Sequence, residues 1–142
     1  MRLLKIVFFL FLFHSNMLLW ATTIEVGPNR QLTSIKKAIA IAKPGDTIKV
    51  FSGLYKEKNI VIDKRIVFIG VDFPILDGEK KYEVVSIKAD SVVIKGFKVV
   101  NSGHAALDDP CGIKVYNQSF VHIENNILDD NFSIIHVCSS QK

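Results

Sequence analysis

Cysteine is nearly absent from this chain, with Cys111 and Cys138 the only two among 142 residues. Two cysteines cannot build a disulfide framework for a chain of this length, and their spacing matches no zinc motif. Export would make a single disulfide feasible. Arginine is scarce as well: beyond the N-terminal segment there are only Arg30 and Arg65, far apart in sequence. Enzymes that act on polyuronates usually bring cations to the carboxylates of their substrate, so this shortage counts against that class. The sequence has no glycine-rich phosphate loop, no nucleophile–base motif and no basic–aromatic alternation of the kind nucleic-acid binders use. An excess of one charge is missing too. The 18 basic residues fall to 18 − 2 = 16 without Arg2 and Lys5, against 14 acidic ones. A net charge of about +2 is too small to imply nucleic acid or an anionic membrane, and the scattered lysines read as a solvated surface.

Long apolar runs are confined to the start. Arg2 and Lys5 flank a short basic beginning, Ile6 to Phe13 is wholly apolar, and Met17-Leu18-Leu19-Trp20-Ala21 ends on a small residue. A signal peptide has this layout. A membrane span needs about 20 consecutive apolar residues, and His14-Ser15-Asn16 interrupts this run too early. The expected organisation is a signal peptide over 1–21, export, and no membrane span after cleavage. Residues 22–142 then form one small domain.

Helical periodicity occurs once. Thr33 or Ser34 can cap a helix in which Ile35, Ala38, Ile39 and Ala42 make one apolar stripe. Lys36, Lys37 and Lys43 lie off that stripe, and Pro44-Gly45 ends it. A short strand, Thr22 to Val26, precedes the helix. Everything afterwards reads as strands of a few residues: 47–51, 59–63, 66–69, 84–88, 92–94, 97–100, 113–116, 120–123, 127–128 and 133–137. Gly, Asn and Asp separate them, residues that tolerate the left-handed conformations tight corners require.

The strands repeat. Val92-Val93-Ile94-Lys95-Gly96 aligns with Ile66-Val67-Phe68-Ile69-Gly70, an offset of 92 − 66 = 26, and with Val121-His122-Ile123-Glu124-Asn125, an offset of 121 − 92 = 29. Repeats of about 20–50 residues built from short strands indicate a solenoid. The fold expected is all-β: a right-handed parallel β-helix (solenoid) with an N-terminal amphipathic capping helix over its first coil. Asn101, Asn125, Asn126 and Asn131 are expected to form an asparagine ladder along one corner. Ile134-Ile135-His136-Val137 resembles the start of a further coil, so 22–142 reads as the N-terminal, truncated part of a longer β-helix domain.

The run from Thr33 to Val50, with Gly53-Leu54-Tyr55-Lys56-Glu57 and Ile62-Asp63-Lys64, resembles the opening of pectin-lyase-like β-helix proteins. The continuation is more particular. Phe68-Ile69-Gly70, Pro74-Ile75-Leu76-Asp77-Gly78, Ile94-Lys95-Gly96-Phe97, Asn101-Ser102-Gly103, Gly112-Ile113-Lys114-Val115, Ile123-Glu124-Asn125-Asn126 and Asp130-Asn131-Phe132 resemble the NosD family of periplasmic nitrous oxide reductase maturation proteins. That resemblance implies an accessory protein, not an enzyme, that serves assembly of the copper–sulfur centre. It implies an ABC transporter permease and ATPase, a copper chaperone and nitrous oxide reductase as partners. The alternatives are a polysaccharide lyase, hydrolase or epimerase of the pectin-lyase-like class, and a non-catalytic carbohydrate-binding module.

Chemistry-bearing side chains concentrate in the irregular segment Gly103 to Cys111. His104, Asp108, Asp109 and Cys111 are the candidate metal ligands, and imidazole with thiolate suits copper. The plainer alternative is a solvated loop whose Cys111 enters a strand as a small apolar residue. His122 and His136 alternate with apolar neighbours and are expected to face outward, able to bind metal only if they stack across coils. Asp108-Asp109 and Asp129-Asp130 are adjacent carboxylates. Adjacent strand residues point to opposite faces, so neither pair alone supplies the two converging carboxylates that sugar hydrolysis requires.

Overall fold

The structure is a computed structural model, and it describes residues 20–104 and 110–138. The segment read as a signal peptide therefore lies outside the described residues up to position 19. Strand β1 (Thr23–Val26) comes first, then helix α1 (Ile35–Ile41). The chain next winds through β2 (Thr47–Phe51), β3 (Leu54–Tyr55) and β4 (Ile60–Ile62). A second coil holds β5 (Val67–Val71), β6 (Ile75–Asp77) and β7 (Val85–Ile87), and a third β8 (Val93–Lys95), β9 (Lys98–Val100) and β10 (Cys111–Tyr116). The last is β11 (His122–Glu124), β12 (Ile127–Asp129) and β13 (Ser133–Cys138).

Each coil gives one strand to each of three sheets, in the orders β1-β2-β5-β8-β11, β3-β6-β9-β12 and β4-β7-β10-β13. All of these pairings are parallel. The molecule is the expected right-handed parallel β-helix. Its register carries the sequence repeat unchanged: Val67 pairs with Val93 and Val93 with His122. Two strands, β3 and β6, were not among those expected. Both follow sharp turns and are too short to show alternation.

In-register stacking sorts the side chains. The first sheet runs the inward ladder Ile48–Phe68–Ile94–Ile123. The second runs Tyr55–Leu76–Val99–Leu128. The third runs Ile60–Val85–Ile113–Ile135 beside Ile62–Ile87–Val115–Val137. Apart from Ile135 and Val137, which are exposed, these form one continuous apolar core. Inside it the Phe68 and Phe97 rings stack with centroids 4.3 Å apart. Stacking is so close at one corner that a Cβ on Gly70 would overlap the carbonyl oxygen of Gly96, whose own φ of +79° also demands glycine. Other corners use Asn101, Asn125 and Asp130 with positive φ.

Helix α1 buries Ile35, Ala38 and Ile39 against the first coil. Ser34 is its N-cap, with Oγ accepting from the Lys37 N–H at 3.3 Å. A carboxylate from the next coil completes that end: Glu57 accepts from the N–H groups of Ile35 (2.6 Å) and Lys36 (2.9 Å) and from Ser34 Oγ (2.8 Å). At the other end Lys64 Nζ donates to the carbonyls of Ile39 (2.9 Å) and Ala42 (3.3 Å). A seven-residue helix is too short to persist alone in water, so these two side chains and the apolar stripe hold it in place.

The asparagines do not form the expected single ladder. Asn126 accepts from the Phe97 N–H and donates to the Ile94 carbonyl, while Asn131 makes the same pair of bonds to Ser102 and Val99. Each amide thus ties its corner to the backbone of the coil below. Asn101 donates instead to Asp77 Oδ1 at 2.9 Å.

Candidate functional site

Parallel stacking sets equivalent positions of successive coils about 4.8 Å apart, so polar residues recurring on an outward row come within reach of one another. On the third sheet the outward row is Val61–Ser86–Lys114–His136. An outward row normally faces water, yet Ser86 is 0% and Lys114 5% exposed. Glu83, just before β7, and Tyr116, at the end of β10, gather beside them.

Glu83 is the hub. The Tyr116 hydroxyl lies 3.2 Å from each of its carboxylate oxygens, and Lys114 Nζ lies 3.8 Å from Oε2. The Ser86 hydroxyl has one proton and two acceptors in reach, Asn59 Oδ1 at 2.8 Å and Glu83 Oε1. Two further lysines lie over tyrosine rings. Lys88 Nζ sits 4.8 Å from the centre of the Tyr116 ring, and Lys58 Nζ sits 5.9 Å from that of Tyr82. Burial, and next the neighbouring Glu83 carboxylate, push the Tyr116 phenol up, so it stays a proton donor at neutral pH. Charges removed from water this far need every lone pair and proton engaged, and here the hydroxyls and the ammonium engage the carboxylate. Such a cluster can hold a polar group presented from outside or fix the register of successive coils.

Of the four candidate metal ligands, His104 and Cys111 are among the described residues. Asp108 and Asp109 lie outside the described residues. His104 is exposed, its ring edge-on to Phe132 with centroids 4.1 Å apart. Cys111 opens β10 with its side chain fully buried. Burial pushes its thiol up, only partly offset by a hydrogen bond with Ser133. A buried, protonated thiol is a poor ligand until it leaves that place. Among the described residues no three His, Cys, Asp or Glu side chains are grouped closely enough to hold a metal ion. Cys111 lies opposite Ser133 and Cys138 opposite Tyr116, so the register sets the two cysteines at opposite ends of the β10–β13 ladder. His122 and His136 are both exposed, on different sheets, and do not stack on each other.

Sequence reading missed the Glu83 cluster because its members are spread over coils: Glu83 and Tyr116 are 33 residues apart. A signal was present. Val85-Ser86-Ile87 and Ile113-Lys114-Val115 each place one polar residue between two inward ones, and the register stacks those polar residues directly. No helix among the described residues is long and apolar enough to cross a membrane. Compared with family models, with curated proteins and with solved structures, the chain finds no match in any of the three.

Proposed function

We propose that this chain serves as a periplasmic accessory protein in assembly of the copper–sulfur centre of nitrous oxide reductase. Its β-helix is a rigid docking platform, working with an ABC transporter permease and ATPase, a copper chaperone and the reductase itself. Copper is cargo in this reading, destined for the reductase, and the protein itself catalyses nothing.

The observation that carries the proposal is where the NosD-like residues fall. They occupy corners and rungs of successive coils: the abutting Gly70 and Gly96, the β6 segment Pro74 to Gly78, the Asn126 and Asn131 corner ties, and the Gly112 to Val115 stretch of β10. The likeness is thus distributed through the solenoid and is not restricted to its opening helix. The role of the best-embedded carboxylates also favours a platform. Asp46 accepts from backbone N–H groups, Glu57 binds the helix end, Asp77 holds Asn101, and Glu83 is engaged by Tyr116. Carboxylates committed in this way are not poised as a convergent acid–base pair.

Deleting the gene in its host tests the proposal. The deletion strain is expected to make nitrous oxide reductase lacking its copper–sulfur centre and to lose nitrous oxide reduction, with restoration on complementation. A deletion strain with a fully assembled, active reductase would exclude the role. His104, Asp108, Asp109 and Cys111 are the residues to examine for copper handling. Copper affinity unchanged by His104→Ala combined with Cys111→Ala would remove them.

A specific observation favours a second reading, a module that binds an acidic carbohydrate. Lys88 and Lys114 lie over the Tyr116 ring beside Glu83, and Lys58 lies over the ring of Tyr82. Cations suit sugar carboxylates and aromatic rings suit sugar faces. Titration with polygalacturonate distinguishes the two: binding abolished by Lys88→Glu supports the carbohydrate module, and no binding leaves the docking platform.

A further inference from the structure

Asp46 stands directly before β2 and is 5% exposed, yet none of the ion pairs among the described residues includes it. Backbone groups take both of its oxygens. Oδ2 accepts from the Lys43 N–H at 2.7 Å and Oδ1 from the Thr22 N–H at 2.8 Å. The Lys43 bond first, then the Thr22 bond, hold its carboxyl below the usual range, so the group is an anion at neutral pH. A buried carboxylate ordinarily has a cation beside it, because amide N–H groups offset less of the lost hydration than a full charge does.

The Thr22 nitrogen has a set place relative to this carboxylate. Thr23 pairs with Thr47 in the parallel β1–β2 ladder, and the Thr47 N–H donates to the Thr22 carbonyl at 2.9 Å. Asp46 is held in turn: its N–H donates to the Lys43 carbonyl and its carbonyl accepts from the Val67 N–H, each at 3.0 Å. All of these groups lie at or after residue 22. Immediately before it stands Ala21, the small residue on which the leader-like segment ends.

We propose that removal of residues 1–21 turns the Thr22 nitrogen into an α-ammonium that pairs with Asp46, so that processing supplies the buried carboxylate with its counter-ion. The step is hydrolysis by a signal peptidase. One water adds across the Ala21–Thr22 peptide bond, leaving a carboxylate on Ala21 and an amine on Thr22 that takes up a proton at neutral pH. Because β1 begins at Thr23, the cut leaves its ladder with β2 whole. Thr22 is exposed, so the new ammonium keeps water on the protons that face away from Asp46 and carries little of the cost of burial. Lys43 and Arg65 line the same surface pocket as Asp46, and the ammonium displaces neither from it, since neither forms an ion pair with that carboxylate. The bond from Thr22 to Asp46 thus changes from an amide N–H donor to a charged one, and the first rung of the solenoid tightens once the leader is gone. The inference rests on the export that the proposed function requires and on nothing in its copper role.

Mass spectrometry of the exported, purified protein reads its first residue, expected to be Thr22. Urea unfolding then compares this processed chain with one that keeps Trp20 and Ala21, in which the Thr22 nitrogen is still an amide. The processed chain is expected to have an unfolding constant about ten-fold lower, and Asp46→Asn in both chains is expected to cancel the difference. Acetylating the α-amine of the processed chain gives a second measurement that needs no substitution, and it should raise the unfolding constant to that of the longer chain. A first residue other than Thr22, equal stability of the two chains, a difference that survives Asp46→Asn, or a stability indifferent to acetylation would overturn the inference. Each of these outcomes leaves the assembly of the reductase to be judged by its own deletion test.

Discussion

At Gly70 and Gly96 two consecutive coils touch backbone to backbone, leaving no volume for a side chain. Gly70→Ala has to push the coils apart, and its expected cost is about 2–4 kcal/mol of stability, measurable by urea unfolding. Asp46 acts at the same scale by charge. It is buried, and its carboxylate accepts from the N–H groups of Lys43 (2.7 Å) and Thr22 (2.8 Å). Those bonds, the one from Lys43 first, hold its carboxyl below the usual range. A folded-state pKa below the unfolded value adds stability above the unfolded pKa, and that stability is lost as pH falls through the folded one. Wild type is therefore expected to exceed Asp46→Asn in stability at pH 7, with the gap closing below about pH 4. Chemical unfolding of both proteins at pH 7 and pH 3 measures it. Of these, the glycines were visible in the sequence as corner residues. Their contacts were not, because each partner lies on a different coil or across a turn.

The capping helix was legible as an element: stripe, N-cap and stop were all readable in residues 33 to 45. What anchors it was not. Glu57 and Lys64 belong to the first full coil and reach the helix termini from 22 and 25 residues away, Glu57 at the Ile35 N–H and Lys64 at the Ile39 carbonyl. Glu57→Ala leaves N–H groups of the first turn without their acceptor, at an expected cost of about 1–2 kcal/mol. Lys64→Met removes the donor to the last carbonyls and is expected to cost less, about 1 kcal/mol. Hydrogen exchange locates the effect: amides of α1 should lose protection in both variants while those of β8 keep theirs. Equal loss of protection throughout would mean that the helix is not a separately anchored element.

On the scale of the molecule, each coil touches only the coils next to it, so stability should be a sum of coil and nearest-neighbour terms. The stacked rings of Phe68 and Phe97 sit in adjacent coils. Phe68→Ala and Phe97→Ala should each cost about 3–5 kcal/mol, and the double variant should depart from additivity by about 1 kcal/mol or more. Phe68→Ala combined with Leu128→Ala, two coils further on, should be additive within about 0.5 kcal/mol. Equilibrium unfolding of the two cycles checks both. The Glu83 cluster belongs to this scale as well: Ser86, Lys114 and Tyr116 become neighbours only when the second and third coils stack.

Sequence by itself determined the coil. Strand alternation, corner residues and offsets of 26 and 29 fixed which residues face inward and which rungs pair, because a repeat that stacks in register allows one solution for its apolar positions. Tertiary structure alone decided what lies one coil away. It replaced the single asparagine ladder by separate corner ties, buried Cys111 while leaving His104 exposed, and gathered an ammonium and two hydroxyls around the Glu83 carboxylate. Periodicity reports the direction in which a side chain points; only stacking reports what it meets there.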